Sequence, residues 1–432
     1  MKTVGIIAEY NPFHNGHLYQ LQKAKALSAA DFVIVVLSGN FVQRGTPALL
    51  DKYARCEMAL RCGADLVVEL PVCYATGSAE YFAKGAISLL AKLKVDALCF
   101  GSECGSIDTL RQAAQVLSDE PEDFRETLAY HLHRGLSFPA ARSLALTRCL
   151  ADASFDDSFL KSPNNILGIE YLKALIKLDS PMEVYTLPRQ GAGYLEHSLP
   201  SQKDSPAPSA LFQSKGERPA DGQFFCSALA LRHRLLDGGS CDELSPFMPK
   251  AALHILEREL SFGKSVCTED FSSMLFYRLL QLQPDGYCAF VDISENLSDK
   301  IGKLLEHYIS WTQFCSDLLK SKDITHSRLN RSLLHILLNI QKQDLAYYEA
   351  EGNAQYARIL GFREISRGLF ACLPKDFPLL SKLSGAEKIL SPTGMRQLRQ
   401  DIFAAHLYES IKAQKTGVPI QNEYRRQMVI IT

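Results

Sequence analysis

Val4-Gly5-Ile6-Ile7-Ala8-Glu9-Tyr10-Asn11-Pro12-Phe13-His14-Asn15-Gly16-His17 lies at the start of the chain. The apolar run Val4–Ala8 reads as a buried strand, and the polar, proline-containing turn Glu9–Phe13 follows it at once. His14 and His17 then fall at a strand-to-helix junction, where residues three apart can line one face of the first helical turn. Free backbone N–H groups and the helix dipole favour phosphate there. Gly16 between the histidines lets a ligand approach the backbone. The stretch therefore predicts a nucleoside triphosphate site at the mouth of a parallel sheet. A plainer reading makes either histidine a helix cap. A metal site is disfavoured, because no third Cys, Asp or Glu ligand is locally spaced for one.

Outward from this stretch, β-like runs alternate with helical ones to about residue 105. Val4–Ala8 precedes a helix through Leu18–Leu27, Phe32–Leu37 precedes Lys52–Cys62, Asp65–Leu70 precedes Ala79–Leu90, and Ala97–Phe100 closes the series. Such repetition predicts an α/β fold, an open parallel sheet with helices on both faces and its ligand at the C-terminal ends of the strands. Residues 107–150 read as two or three helices inserted into that domain, with Ile107, Leu110, Ala113, Ala114 and Leu117 at helical spacing. A helix Ile166–Leu178 and a strand Met182–Leu187 follow. Gly191–Gln223 is rich in Ser, Pro and Gly and reads as a mobile loop beside the site. Helical patterns dominate from Ala228 to about Ala413, and Arg426–Ile431 is β-like. The expected division is 1–240 for the Rossmann-like ATP-binding domain and 241–432 for a mainly helical domain.

Composition excludes several classes. The 47% hydrophobic and 22% charged content are those of an ordinary soluble globular protein. No apolar stretch is long enough for a membrane span and the N-terminus is not signal-like, so a cytoplasmic protein with no membrane partner is expected. The 12 cysteines are scattered singly, many in apolar runs, as reduced packed thiols are. The net charge of -1 hides an uneven distribution. Beyond residue 300 basic residues exceed acidic ones, with Lys320, Lys322, Arg328, Arg331, Arg358, Arg363, Arg367, Arg396, Arg399, Arg425 and Arg426 in helical-looking or terminal segments. Their charge suits nucleic acid as well as a solvated helix face.

The His14–His17 motif and the sheet pattern resemble the H-x-G-H nucleotidyltransferase superfamily, whose members attack the ATP α-phosphate. Gly5–His17, Ser38-Gly39-Asn40-Phe41-Val42-Gln43-Arg44-Gly45, Asp65–Pro71 and Pro163–Gly168 narrow this to a resemblance to the tRNA(Met) cytidine acetate ligase family over most of the first 240 residues. Later support is weaker, as in Tyr356–Phe362. The resemblance implies that acetate attacks ATP to give acetyl-adenylate and pyrophosphate. The exocyclic amine of the wobble cytidine of elongator tRNA(Met) then takes the acetyl group, giving N4-acetylcytidine and AMP. ATP is a substrate in this scheme. Mg2+ is compatible with it, but no pattern in the sequence shows the ion, and oligomeric state is not legible.

By the same resemblance, His14 and His17 are the catalytic hydrogen-bond donors. Ile7, Ala8, Glu9, Tyr10, Asn11, Pro12, Phe13, Asn15, Gly16, Leu18, Tyr19 and Gln20 cradle ATP, with Gly101, Asn164, Asn165, Arg189 and Gln190 completing it. Asn pairs in such turns also cap helices, whereas a guanidinium at Arg189 matches phosphate oxygens in pairs. Ser227-Ala228-Leu229-Ala230-Leu231-Arg232 corresponds to the superfamily's second signature, with Ser227 and Arg232 for the β- and γ-phosphates. Leu229 departs from it, standing where a hydroxyl residue is expected. Lys52 and Arg55 are further candidates for phosphate or tRNA backbone, and Glu9 or Glu69 for orienting a ribose or metal ion. Phe13, Phe41 or Tyr74 could stack an anticodon base, and His326-Ser327-Arg328 with Arg331 could hold tRNA phosphates. Two other functions fit parts of the pattern: a small-molecule adenylyltransferase, and a non-catalytic nucleotide-dependent RNA-binding protein.

Overall fold

The computed structural model describes residues 1–150, 159–189, 224–263, 265–320 and 324–432. Gln190, Lys322 and the whole Gly191–Gln223 stretch lie outside the described residues. The strands are β1 (Thr3–Ala8), β2 (Phe32–Ser38), a two-stranded hairpin of β3 (Phe41–Val42) and β4 (Thr46–Pro47), β5 (Leu66–Leu70), β6 (Ala97–Ser102), β7 (Glu183–Pro188), β8 (Ala357–Arg363), β9 (Leu379–Leu380) and β10 (Val429–Ile431). All but the hairpin form one sheet in the order β10-β8-β5-β2-β1-β6-β7, with β9 beside β8. The five strands from β5 to β7 are parallel, as the β-α alternation predicts.

Alternation of side chains sorts the core into two layers, one on each face. On β2, Val33, Val35 and Leu37 join one layer with Val4 and Ile6 of β1, while Ile34 and Val36 join the other with Leu66, Val68, Leu98 and Phe100. Each such fully buried side chain contributes about 1.5–3 kcal/mol. α1 (Asn15–Ser28) and α2 (Lys52–Arg61) cover the first face, and the helices Ala79–Lys92 and Pro163–Lys177 the second. Three helices, Ile107–Asp119, Glu122–His133 and Phe138–Leu150, lie between β6 and β7 in the chain.

Three strands of this sheet, β8, β9 and β10, come from beyond residue 240. β8 runs antiparallel to β5, and β10 pairs parallel with β8. Tyr356–Phe362, within the stretch expected to be helical, is therefore mostly strand. Its apolar residues are buried by β5 and α2, contacts between segments about 300 positions apart that local periodicity does not register. All twelve cysteines are free. Among the described residues, no helix is long and apolar enough to cross a membrane.

Candidate active site

β1 ends at a reversal of strand order, since the connections run from β1 to β2 on one side and from β5 to β6 on the other. This is the place where open α/β sheets open a crevice. The chain turns there through Tyr10, whose φ of 48° is unusual for a non-glycine residue, and the cis bond Asn11-Pro12. It then enters α1 with His14 as the N-cap.

The two histidines cap this helix reciprocally. His14 Nδ1 accepts from the Gly16 N–H at 3.1 Å, and His17 Nδ1 accepts from the His14 N–H at 3.2 Å. Their rings stack at a centroid distance of 3.6 Å. Burial, then the charges of Arg189 and Arg232, hold His14 at a pKa of about 3. Burial, His14 and Arg189 hold His17 well below its ordinary value. Both imidazoles are thus neutral, and since each Nδ1 accepts, each proton sits on Nε2. Capping uses the Nδ1 edge of each ring and leaves the Nε2 edge out of the cap, so a capping role does not exclude a functional one. Gly16 differs from expectation. A Cβ there would lie 2.9 Å from His14 Cε1, so the room glycine leaves is taken by the histidine ring rather than by a ligand.

Around the pair lies a cavity of about 260 Å³. It brings together Ile7, Ala8, Glu9, Tyr10, Asn11, Gly16, Tyr19, Gln20, Gly101, Asn164, Arg189, Ser227 and Arg232 with both histidines. Gly101 leaves room, since among the described residues a Cβ there would touch only Arg189 Cγ, at 3.6 Å, and the Leu187 carbonyl, at 3.8 Å. Arg232 donates to the Asn11 carbonyl and so ties the second signature to the first. Ser227 caps the helix Ala228–Leu236 through the Ala230 N–H at 3.0 Å, and Leu229 lines the cavity with an apolar side chain.

Other expected residues serve the frame and do not line this cavity. Pro12, Phe13, Leu18, Asn15 and Asn165 lie outside its lining. Asn15 Nδ2 is spent on the carbonyls of Phe224 and Pro246, and Asn165 links the Cys104 N–H to the Phe159 carbonyl. Phe13, Phe41 and Tyr74 are core residues at 0%, 0% and 1% exposure, closed to a stacking base. Lys52 is enclosed by Glu69, 2.8 Å away, and Glu423 at 3.1 Å, which also removes Glu69 from the site. Arg55 is buried on the carbonyls of Glu9, Ser38, Gly39 and Leu50. Neither cation reaches phosphate or RNA. Part of the basic excess beyond residue 300 is likewise taken up by the protein's own carboxylates: buried Arg358 pairs with Glu423 and Glu69, half-buried Arg363 with Asp65, Arg426 with Asp51 and Arg331 with Asp292, and exposed Arg396 with Asp344. Lys320, Arg328, Arg367, Arg399 and Arg425 are exposed.

Further lining residues were not singled out as site residues in the sequence. Val42, Gln43, Arg44 and Thr46 come from the β3–β4 hairpin, and Phe82, Phe100, Leu167 and Tyr171 from the opposite layer of the core. The Ser38–Gly45 stretch was a signal for the first group. The aromatic group reads as ordinary core. The lining therefore divides by core layer into two lobes at the sheet's C-terminal edge. The histidines, Arg189 and Arg232 occupy one, and the aromatic group the other. Among the described residues no group of three or more His, Cys, Asp or Glu side chains could hold a metal ion.

Comparison with known proteins matches this geometry to a family. The HIGH Nucleotidyl Transferase model covers residues 1–422. A protein of Thermoanaerobacter sp. (strain X514) is 40% identical over 414 residues, covering 94% of this chain and 95% of its own, and is named tRNA(Met) cytidine acetate ligase. The chain belongs to the tRNA(Met) cytidine acetate ligase family of HIGH nucleotidyl transferases. A family relative from Acetivibrio thermocellus is 38% identical over 415 residues, covering 94% of each chain, and has the same name. The crystal structure of Thermotoga maritima TmcAL bound with alpha-thio ATP superposes with a TM-score of 0.86 at 29% identity, covering 100% of both chains. Its apo form gives 0.87 at 30% identity and the same coverage.

Proposed function

We propose that this chain is an ATP-dependent ligase that activates acetate as acetyl-adenylate and acetylates the wobble cytidine of elongator tRNA(Met), giving N4-acetylcytidine, AMP and pyrophosphate. The observation that carries the reading is the pair of neutral, stacked imidazoles facing a cavity that also holds Arg189 and Arg232. An acetate oxygen is already anionic, so adenylation needs little base. Its barrier lies in charge gathering on the α-phosphoryl group and the leaving pyrophosphate. The Nε2–H groups of His14 and His17 donate to those oxygens, and Arg189 and Arg232 neutralise the remaining charge. Fixed donors of this kind cost no reorganisation as the charge develops.

The second step requires positioning of an amine against the adenylate. Residues 1–240 supply the adenylating domain, and 241–432 the mainly helical, tRNA-holding region, which lends β8 and β10 to the sheet. Exposed cations such as Arg328 and Lys320 support phosphate binding there, whereas the internally paired arginines do not.

The test is direct: pyrophosphate release and the mass of tRNA cytidine are measured after incubation with ATP, acetate and an elongator tRNA(Met) transcript. Acetate-dependent release together with acetylated cytidine is expected. Release only with a phosphorylated alcohol, or none at all, would refute the reading.

A further inference from the structure

The second lobe of the cavity is unused by the adenylation chemistry. It lies across the sheet edge from the histidines and is walled by Phe82, Phe100 and Tyr171, all of which belong to the other core layer. Phe100 and Tyr171 meet edge to face at 5.5 Å, forming an aromatic corner. Glu9 also lines the cavity, and its charge acts on the Tyr171 hydroxyl. Its Oε1 accepts from the Gln43 N–H at 2.9 Å, which turns the side chain toward the β3–β4 hairpin. Among the described residues Oε2 has no hydrogen-bond partner.

The hairpin also connects the lobe to the helical region. Gly45, at φ 74°, packs so closely on the helix His326–Leu338 that a Cβ would lie 2.3 Å from the Arg331 backbone nitrogen. Arg44, its neighbour, lines the cavity. The lobe therefore borders the helix whose first turn carries the exposed Arg328.

A flat ring packed against aromatic side chains that line a cavity, with an exocyclic amine donating to a carboxylate, is the chemistry by which a cytosine is read when it leaves its stack. We propose that the second lobe holds the target cytosine, and that Glu9 is a catalytic residue that accepts the N4 proton during acetyl transfer. The inference rests on the ligase reading above. In the step, N4 attacks the acetyl carbonyl, the C–N bond forms, and the bond from that carbon to the phosphate oxygen breaks. AMP leaves with the electron pair. The proton lost from N4 passes to Glu9 and then to solvent. Cytosine N4 is a weak nucleophile because its lone pair is delocalised into the ring, so removing its proton as the bond forms is where a base acts most.

The full-length chain and its Glu9→Gln and Glu9→Asp variants are compared in two assays, acetate-dependent ATP–pyrophosphate exchange and acetyl transfer to the tRNA transcript. Gln keeps an oxygen for the Gln43 N–H but has no basic carboxylate. The ratio of transfer to exchange is expected to fall about 100-fold in Glu9→Gln, the lower end for general-base removal, and to recover in part in Glu9→Asp. Equal losses in both assays would place Glu9 on the nucleotide and overturn the assignment, as would an unchanged ratio. Absence of both activities in the unaltered chain would refute the ligase reading itself, and this assignment with it.

Discussion

α1 follows β1 directly and α2 follows β2 after the β3–β4 hairpin, yet their first turns use polar side chains in opposite ways. In α1, a buried and a half-buried histidine stay uncharged and spend only one ring nitrogen each on the helix. In α2, two cations are buried with every neighbour supplied by the protein: Lys52 by Glu69 and Glu423, Arg55 by four backbone carbonyls. What separates site from scaffold is the hydrogen-bonding capacity left over after folding, and formal charge is a poor guide to it. On charge alone α2 is the more phosphate-like helix.

The sharpest way to break this contrast is to remove a cation from α2. Lys52→Met is expected to lose about 3 kcal/mol of stability, since it leaves two buried carboxylates, Glu69 and Glu423, to share the one guanidinium of Arg358. Urea unfolding measures this, and a loss under about 1 kcal/mol would mean that α2 is not a fully committed frame. In α1 the damage should fall on chemistry. His14→Ala or His17→Ala is expected to slow acetyl-adenylate formation by about 10²–10³-fold, equivalent to about 2.7–4 kcal/mol of barrier. The lost cap costs only about 1 kcal/mol of stability. Wild-type exchange rates in either variant would reduce α1 to the same structural role as α2.

Acid separates the helices further. Above the ordinary histidine value of 6.5, His14 and His17 are neutral in both folded and unfolded chains. Below it, the unfolded chain takes up protons that the folded one refuses, so stability falls as pH drops. The loss is roughly 2 kcal/mol for His14 by pH 5, and His17 adds to it in the same direction. Unfolding titrations from pH 7 to 5 should show this slope, and His14→Asn should flatten it. The smallest effect concerns the helical region. Arg328→Glu is expected to reduce the salt slope of tRNA binding by about one while ATP binding persists, and a filter-binding titration reads it. An unchanged slope would move the RNA surface elsewhere.

Much of this was legible in the chain itself. The Val- and Ile-rich runs of β1, β2 and β5 announce strands buried on both faces, and the histidine spacing announces the helix start. β8 was not legible, because Ala357–Arg363 is short, lies among helical patterns and gains its identity from pairing with Leu66–Glu69. Half of the cavity was hidden for a related reason. Phe82 and Tyr171 sit at helix positions that look the same whether they meet another side chain or an empty space. Arg358 and Arg363 look like surface charges until β8 carries them inward against Glu69 and Asp65. The same holds for Asn165, whose amide is consumed by backbone groups that only tertiary structure brings near.

The contact between Gly45 and the backbone of Asn330–Arg331 sets a tolerance for change. Main chain rests on main chain there, so the spacing between the helical region and the reacting centre does not depend on which surface side chains the helices carry. Those side chains can drift with the sequence of the bound RNA while the spacing stays fixed. A single methyl group at position 45 would alter it at once.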